Sequence, residues 1–152
     1  MAATKKGQLL KVPRKPPFYR KTALRFHCTG CGKCCQGDPR SHYIAASEKE
    51  LKIIQLHLAL SRNRFLRTYT ELLPWGDRGI RLDENGTCPF LVDAQCSIYR
   101  QRPAQCRSYP FWPEVVERYK DWQSEARRCE GINQGEIIPL EQIELRLKQS
   151  SD

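Results

Sequence analysis

Residues 26–35 read Phe26-His27-Cys28-Thr29-Gly30-Cys31-Gly32-Lys33-Cys34-Cys35, four cysteines within eight positions. Two-residue gaps between thiolates let a tight loop aim several sulfurs at one ion or cluster. Gly30 and Gly32 supply the left-handed φ values and the close backbone approach that such a loop requires. The N–H groups of the loop can then moderate the negative charge on the sulfurs. Cys28, Cys31 and Cys34 match the first three ligands of a bacterial iron–sulfur run, and the fourth must come from elsewhere in the chain. Cys34 and Cys35 are neighbours whose side chains point in different directions. Either they serve two separate centres, or one is a ligand and the other a packed thiol.

The remaining cysteines, Cys88, Cys96, Cys106 and Cys129, are separated by 8, 10 and 23 positions. This is unlike the paired knuckles of zinc ribbons and fingers. Ligands spread in this way tie distant loops together, which suits a chain with a thin core. Composition makes the core thin: only 39% of the 152 residues are hydrophobic, 28% are charged, and 10 are proline. The length is that of one domain. No apolar run approaches the roughly 18 residues of a membrane span. The Lys-rich start has no apolar stretch of signal-peptide length, which gives the expectation of a cytoplasmic chain kept reduced and without membrane contact. In that setting eight cysteines are for metal or redox work. Buried small thiols are the bland alternative for the spread set, and disulfides the alternative for an exported chain.

Charge is concentrated at one end. Residues 1–25 carry eight basic groups and no acid, while the rest of the chain carries 18 basic and 17 acidic groups within a net +9. Pro13, Pro16 and Pro17 oppose helix there and favour extended, solvated chain. Residues 1–22 therefore read as a basic arm, either a solubilising tail or a dock for nucleic acid or an acidic protein partner, the charge reaching to Arg25.

Ser47-Glu48-Lys49-Glu50 is a capping box, and Leu51, Ile54, Leu58 and Phe65 follow at helical spacing, with Ile53 and Leu56 widening the stripe. This predicts a helix over about 48–60 and a second carrying Arg62, Arg64 and Arg67 to about 70. Ile80 and Leu82 alternate with Arg81 and Asp83 ahead of Asn85-Gly86, a strong hairpin turn, with Phe90, Leu91 and Val92 as the return strand. Leu140, Ile143 and Leu147 share a helical face after Pro139. The fold class is α+β: a small, loop-rich single domain organised by cysteines and metal, with a few helices and a short β-hairpin. Its parts are the arm 1–22, a cysteine-cluster domain 23–135 and a C-terminal helical segment 136–152.

The run 26–35 resembles the CxxCxxCC signature of the YkgJ-type cysteine-cluster proteins, described as zinc- or iron-chelating. The resemblance continues through Cys88-Pro89-Phe90-Leu91, Cys96-Ser97-Ile98-Tyr99 and Arg102-Pro103-Ala104-Gln105-Cys106-Arg107-Ser108-Tyr109-Pro110. It ends near Cys129-Glu130-Gly131-Ile132, so all eight cysteines fall on the pattern. It implies metal or iron–sulfur binding at Cys28, Cys31, Cys34, Cys35, Cys88, Cys96, Cys106 and Cys129. A similar pattern occurs in bacterial flagellin lysine methylases, where it implies an iron–sulfur cluster beside methyl transfer. This chain is short and shows no glycine-rich loop after a strand to hold S-adenosylmethionine, so methylase activity is not carried over.

Smaller signals surround the cysteines. Arg102 and Arg107 flank Cys106 and either offset cluster charge or pair with an acid such as Glu114 or Glu117. His27 abuts the first cysteine, while His42 and His57 lack a partner at metal-ligand spacing and read as bland. Tyr99, Tyr109, Phe111, Trp112, Tyr119 and Trp122 gather near the last cysteines and read as cover for a cluster rather than as bases' stacking platforms. No Ser-His-Asp set, P-loop or paired carboxylate stands out, so no catalytic residue is named. The leading expectation is a 4Fe-4S or zinc protein with a redox or accessory role. Its rivals are a zinc-stabilised adaptor acting through the arm and an iron–sulfur enzyme related to the lysine methylases. The single centre expected first is Cys28, Cys31, Cys34 and one distant cysteine.

Overall fold

Ser47 ends an extended segment and its hydroxyl accepts from the Glu50 N–H, while the Glu50 carboxylate accepts from the Ser47 N–H at 2.8 Å. The capping box is thus complete and starts helix α1 (Glu48–His57) at the residue the sequence predicts. The computed structural model describes residues 15–150. Lys5, Lys6, Lys11, Pro13 and Arg14 of the basic arm lie outside the described residues. In chain order the elements are β1 (Leu24–Phe26), β2 (Ile44–Ala45), α1, α2 (Arg62–Tyr69), β3 (Thr70–Leu72), β4 (Arg78–Ile80), β5 (Leu91–Val92) and β6 (Gln95–Cys96). These are followed by α3 (Ala104–Ser108), α4 (Pro113–Val116), α5 (Tyr119–Ala126), β7 (Ile132–Ile138) and α6 (Leu140–Gln149). The fold is α+β, with three small antiparallel sheets: β1 with β7, β2-β4-β3, and β5 with β6.

The apolar residues divide into two clusters. One is built by Leu51 and Ile54 of α1, Phe65 of α2, Ile44, Ile80, Phe90 and Ile98, with Cys88 buried among them and Cys35, Cys96 and Cys106 packed on its edge. The other holds Leu24, Phe111, Val116, Trp122, Ile132 and Ile143, with Tyr109 and Cys129 buried among them. Ile143 of α6 belongs to this second cluster, and β7 pairs with β1, so the C-terminal segment closes over the first strand. Phe18 donates its N–H to the Glu117 carbonyl at 2.8 Å and Arg20 pairs with Glu144, so the residues just before β1 are docked on the same side.

Two expectations change. The stripe of α1 is narrower than predicted: Ile53 and Leu56 are 46% and 64% exposed, because Leu51 and Ile54 alone satisfy the face turned inward. The hairpin is also displaced. Asn85-Gly86 closes only a tight loop, with Asp83 Oδ1 accepting from Asn85 and Thr87, while Ile80 pairs with Ile44 and Thr70. Leu91 and Val92 instead turn back on Gln95 and Cys96 through Asp93-Ala94, both at positive φ. That is the backbone of a two-residue hairpin turn, adopted without the Asn-Gly signature that advertises it. Strand β7 had no counterpart in the sequence reading. Gly135 at φ 77° and Asn133 at φ 66° mark its irregular register against β1.

Glu50 does more than cap. Its Oε1 accepts from the Ala104 N–H at 2.7 Å, joining α1 to the start of α3, and Arg107 stands 3.8 Å away. Burial opposes its ionisation, but the N–H donors of Ser47 and Ala104 prevail and hold the carboxyl below its ordinary pKa of 4.5. A depressed acid stabilises the fold above its unfolded pKa and loses that contribution as pH falls through the folded value. Glu50→Ala is expected to cost about 2 kcal/mol in urea unfolding at neutral pH, from the lost cap and an unpartnered N–H. The gap between wild type and variant should shrink as pH falls below the ordinary carboxyl value of 4.5 and through the lower folded value, where the wild-type carboxylate protonates.

Candidate metal centre

The loop 28–35 is shaped by its glycines. Gly30 and Gly32 both sit at φ 72°, and at Gly32 an added Cβ would lie 2.7 Å from the Leu91 side chain and 2.9 Å from the Ala94 carbonyl. Gly32 therefore lets the loop press against the β5–β6 hairpin that carries Cys96. A tight 3-10 turn, Lys33–Cys35, then changes direction and presents Cys34 and Cys35. Beyond it the chain pairs with the segment before Cys88: the Cys88 N–H donates to the Cys35 carbonyl at 2.8 Å, Gln36 bridges Thr87, and Gly37 donates to the Gly86 carbonyl at 3.1 Å. These bonds hold Cys35 and Cys88 side by side although they are 53 positions apart in sequence.

The other end of the loop is tied to the last cysteine. Thr29 donates to the Glu130 carboxylate at 2.8 Å, Lys33 donates to its other oxygen at 3.3 Å, and His27 donates its N–H to the Gly131 carbonyl at 3.0 Å. Arg128 closes the same edge by donating to the Lys33 carbonyl at 2.8 Å and to the Gln36 carbonyl. Cys129 starts where α5 ends, its N–H bonded to the Glu125 carbonyl at 2.8 Å.

All eight cysteines line one cavity of about 290 Å³. It lies where the two apolar clusters meet, walled by Ile44, Ile80, Phe90 and Ile98 from one and by Phe26, Tyr109 and Trp112 beside the other. The thiols ring this space. Among the described residues no group of three or more His, Cys, Asp or Glu side chains converges closely enough to hold a single metal ion.

Electrostatics divides the thiols. Burial pushes the Cys88 thiol up to about 11 and the Cys106 thiol up to about 12, and in each case the nearby Cys34 and Cys96 add to the rise. Cys34 is accessible through the open side of the cavity, yet its thiol is also raised, first by a hydrogen bond with Cys35 and then by lost hydration within the cavity. Burial raises Cys96 as well, against the opposing pull of Arg102. Cys34, Cys88, Cys96 and Cys106 thus feel one another as one set, while the Thr29–Glu130 hydrogen bond ties the Cys28 end of the loop to the segment carrying Cys129. Crowded thiols of this kind are costly to ionise without a cation among them, and ionisation is what metal binding requires.

Arg102 lies in the cavity wall. Its Nε donates to the Tyr99 carbonyl at 2.8 Å, its guanidinium stacks 3.7 Å from the Tyr99 ring centre, and its charge favours the thiolate forms of Cys34, Cys96 and Cys106. Arg107 turns away, donating to the Arg102 carbonyl and facing Glu50 rather than Glu114 or Glu117. His27 and His57 are exposed and stand outside the cavity. Of the aromatic residues near the last cysteines, Tyr109, Phe111 and Trp122 are buried as core, while Tyr99 and Tyr119 are exposed. Tyr109 is a structural member of the wall. Its hydroxyl donates to Glu125 at 2.6 Å, and burial together with that carboxylate and Cys129 pushes its ionisation upward.

The loop, the spread thiols and the apolar cover together define a thiol-rich chelating domain. The chain belongs to the CxxCxxCC family, "Putative zinc- or iron-chelating domain", whose pattern matches residues 27–130. It is also similar to an uncharacterised protein of Methanocaldococcus jannaschii, MJ0661, at 26% identity over 143 residues, covering 90% of this chain and 74% of the relative. No solved structure matches the chain. Among the described residues no helix is long and apolar enough to cross a membrane.

Gly86 tests the pairing that brings Cys88 to the loop. It sits at φ 76°, and an added Cβ would overlap the Gly37 carbonyl oxygen. Gly86→Val is expected to destabilise the fold by about 3 kcal/mol or more and to weaken metal retention in the same preparation. Thermal unfolding and metal content of the purified variant check both.

Proposed function

We propose that the chain holds an iron–sulfur centre in the thiol-lined cavity and serves a redox or accessory role in a reducing, cytoplasmic compartment. The single observation that carries this reading is the arrival of all eight cysteines at one cavity of about 290 Å³ between two apolar clusters. Chelation of zinc or iron is the family's property, and the iron–sulfur form is favoured here by how the thiols stand. A zinc ion draws four ligands to about 2.3 Å and so needs sulfurs gathered at one point. A polynuclear cluster accepts sulfurs distributed around a volume, and all eight cysteines line one cavity here.

In place of the expected set of Cys28, Cys31, Cys34 and one distant cysteine, we take Cys34, Cys88, Cys96 and Cys106, whose charges act on one another, as the thiols of the principal centre; Cys28, Cys31 and Cys129 line the same cavity as further donors. Cys35, hydrogen-bonded to Cys34 and packed on the apolar cluster, orients its neighbour. When bound, an iron–sulfur cluster supplies one-electron chemistry. The protein's own contribution is the apolar wall that keeps water from it and the Arg102 charge that offsets negative thiolates. The zinc-stabilised adaptor, acting on nucleic acid or an acidic partner through residues 1–25, is the reading a colourless protein would leave standing.

Anaerobic purification followed by metal analysis and an absorption spectrum decides between them. The expected result is a brown protein with broad thiolate-to-iron absorption and iron and acid-labile sulfide in equal amounts. A colourless protein with stoichiometric zinc would overturn the iron–sulfur reading and leave the adaptor. A chain with neither metal would overturn chelation altogether.

A further inference from the structure

A second cavity, of about 300 Å³, opens on the far side of His42, Gln105 and Trp112 from the thiols. Tyr43 enters it from the segment leading into β2, Trp75 from the turn between β3 and β4, and Glu114 from the first turn of α4. Among the described residues no cysteine lines it, so it stands apart from the metal chemistry above.

Its walls are held by bonds within the protein. The Gln105 amide donates to the Tyr43 carbonyl at 2.6 Å and accepts from the Ala45 N–H at 2.9 Å. Trp112 Nε1 donates to the Gln105 carbonyl at 3.0 Å and to the Ser108 hydroxyl at 3.1 Å, and the Tyr43 hydroxyl donates to the Arg40 carbonyl at 3.0 Å. Trp75 sits on a tight turn in which the Gly76 N–H reaches the Leu73 carbonyl at 2.9 Å. Its ring meets Tyr43 edge-on, 5.4 Å between centres, and the residue remains 57% exposed. Neither Tyr43 nor Trp75 belongs to either apolar cluster, so the pair is not needed to fill the core.

The charge in this cavity has one sign. Glu114, a candidate partner for Arg102 or Arg107 in the sequence, has no ion pair or side-chain hydrogen bond among the described residues. No lysine or arginine among them lines the cavity, and burial holds the His42 imidazole below its ordinary pKa of 6.5, so the ring is neutral at pH 7 and above. An anion here would meet Glu114 with no cation to offset it. A neutral apolar ligand would strip water from the carboxylate without replacing it. A cation meets neither obstacle. It is attracted by the faces of aromatic rings as well as by the carboxylate, and when its nitrogen carries alkyl groups those pack against the rings. The volume is at the small end for a ligand pocket, which suits a compact ion.

We propose that this cavity binds a small organic ammonium ion, its alkylated nitrogen among the Tyr43, Trp75 and Trp112 rings and its charge facing Glu114. The aromatic walls, the unpaired carboxylate and the absence of a competing cation each support it. The assignment does not depend on which metal the thiols hold.

Calorimetric titration of the full chain with choline, and in parallel with its uncharged isostere 3,3-dimethyl-1-butanol, tests it. Choline is expected to bind saturably at one site and the isostere at least about tenfold more weakly. Trp75→Ala and Glu114→Gln, both at exposed positions, should each weaken choline by about tenfold. Glu117→Gln, an exposed acid one turn further on and outside the cavity, should leave it unchanged. Equal affinity for choline and the isostere overturns the ammonium assignment, as does an absence of saturable choline binding. Choline binding that survives both Trp75→Ala and Glu114→Gln places the ion elsewhere and also overturns it. The comparison of the two ligands on the wild-type chain decides the role of charge even if a variant fails to fold.

Discussion

The backbone pairing of Cys35 with Cys88 is the constraint on which the rest of the molecule depends. One hydrogen bond of 2.8 Å, with the Gln36–Thr87 bridge and the Gly37–Gly86 contact beside it, joins the cysteine loop to the segment entering the β5–β6 hairpin. Once that joint is made, Cys96 and Cys106 follow on one side of the loop. The Glu130 and Arg128 contacts close Cys129 on the other. The four distant cysteines reach the loop because the backbone is paired, not because they are near it in sequence.

A chain with this composition cannot build one large core, and it divides its apolar residues between two clusters. Each is small for an independent fold, since small cores bury too little surface to offset chain entropy. The boundary between them is lined with sulfur. Filling that boundary with a metal centre would join the clusters through strong bonds where apolar packing is thin, which is how small metal domains gain stability. Arg102 fits the same account, because thiolates gathered in a poorly hydrated cavity need positive charge nearby.

Much of this was legible in the sequence, and what was not has physical reasons. Helix α1 could be read to its first residue because a capping box is a local device, satisfied within four positions. The loop 28–35 was legible for the same reason, as was membership of the family. Strand β7 was not, since its partner β1 lies more than a hundred residues away and its pairing is irregular. The hairpin was assigned to the stronger turn signal, Asn85-Gly86, whereas the chain turns at Asp93-Ala94, packed closely against Gly32. In the site, residue type and spacing pointed to eight candidate ligands and to a centre of Cys28, Cys31 and Cys34, but not to which distant cysteine joins them, which depends on how distant loops dock. His42 read as bland because it has no partner at ligand spacing, and that its Nε2 is buried without a hydrogen-bond partner is visible only in three dimensions.

The most direct test is hydrogen exchange on the full chain, compared between its metal-loaded form and the same protein stripped by a chelator under reducing conditions. If metal joins the two clusters, stripping should lower amide protection together in α1, around Leu51 and Ile54, and in α5, around Trp122, although neither helix carries a cysteine. Protection lost only in residues 28–35, with both helices unchanged, would show that the clusters hold without metal and would contradict the account.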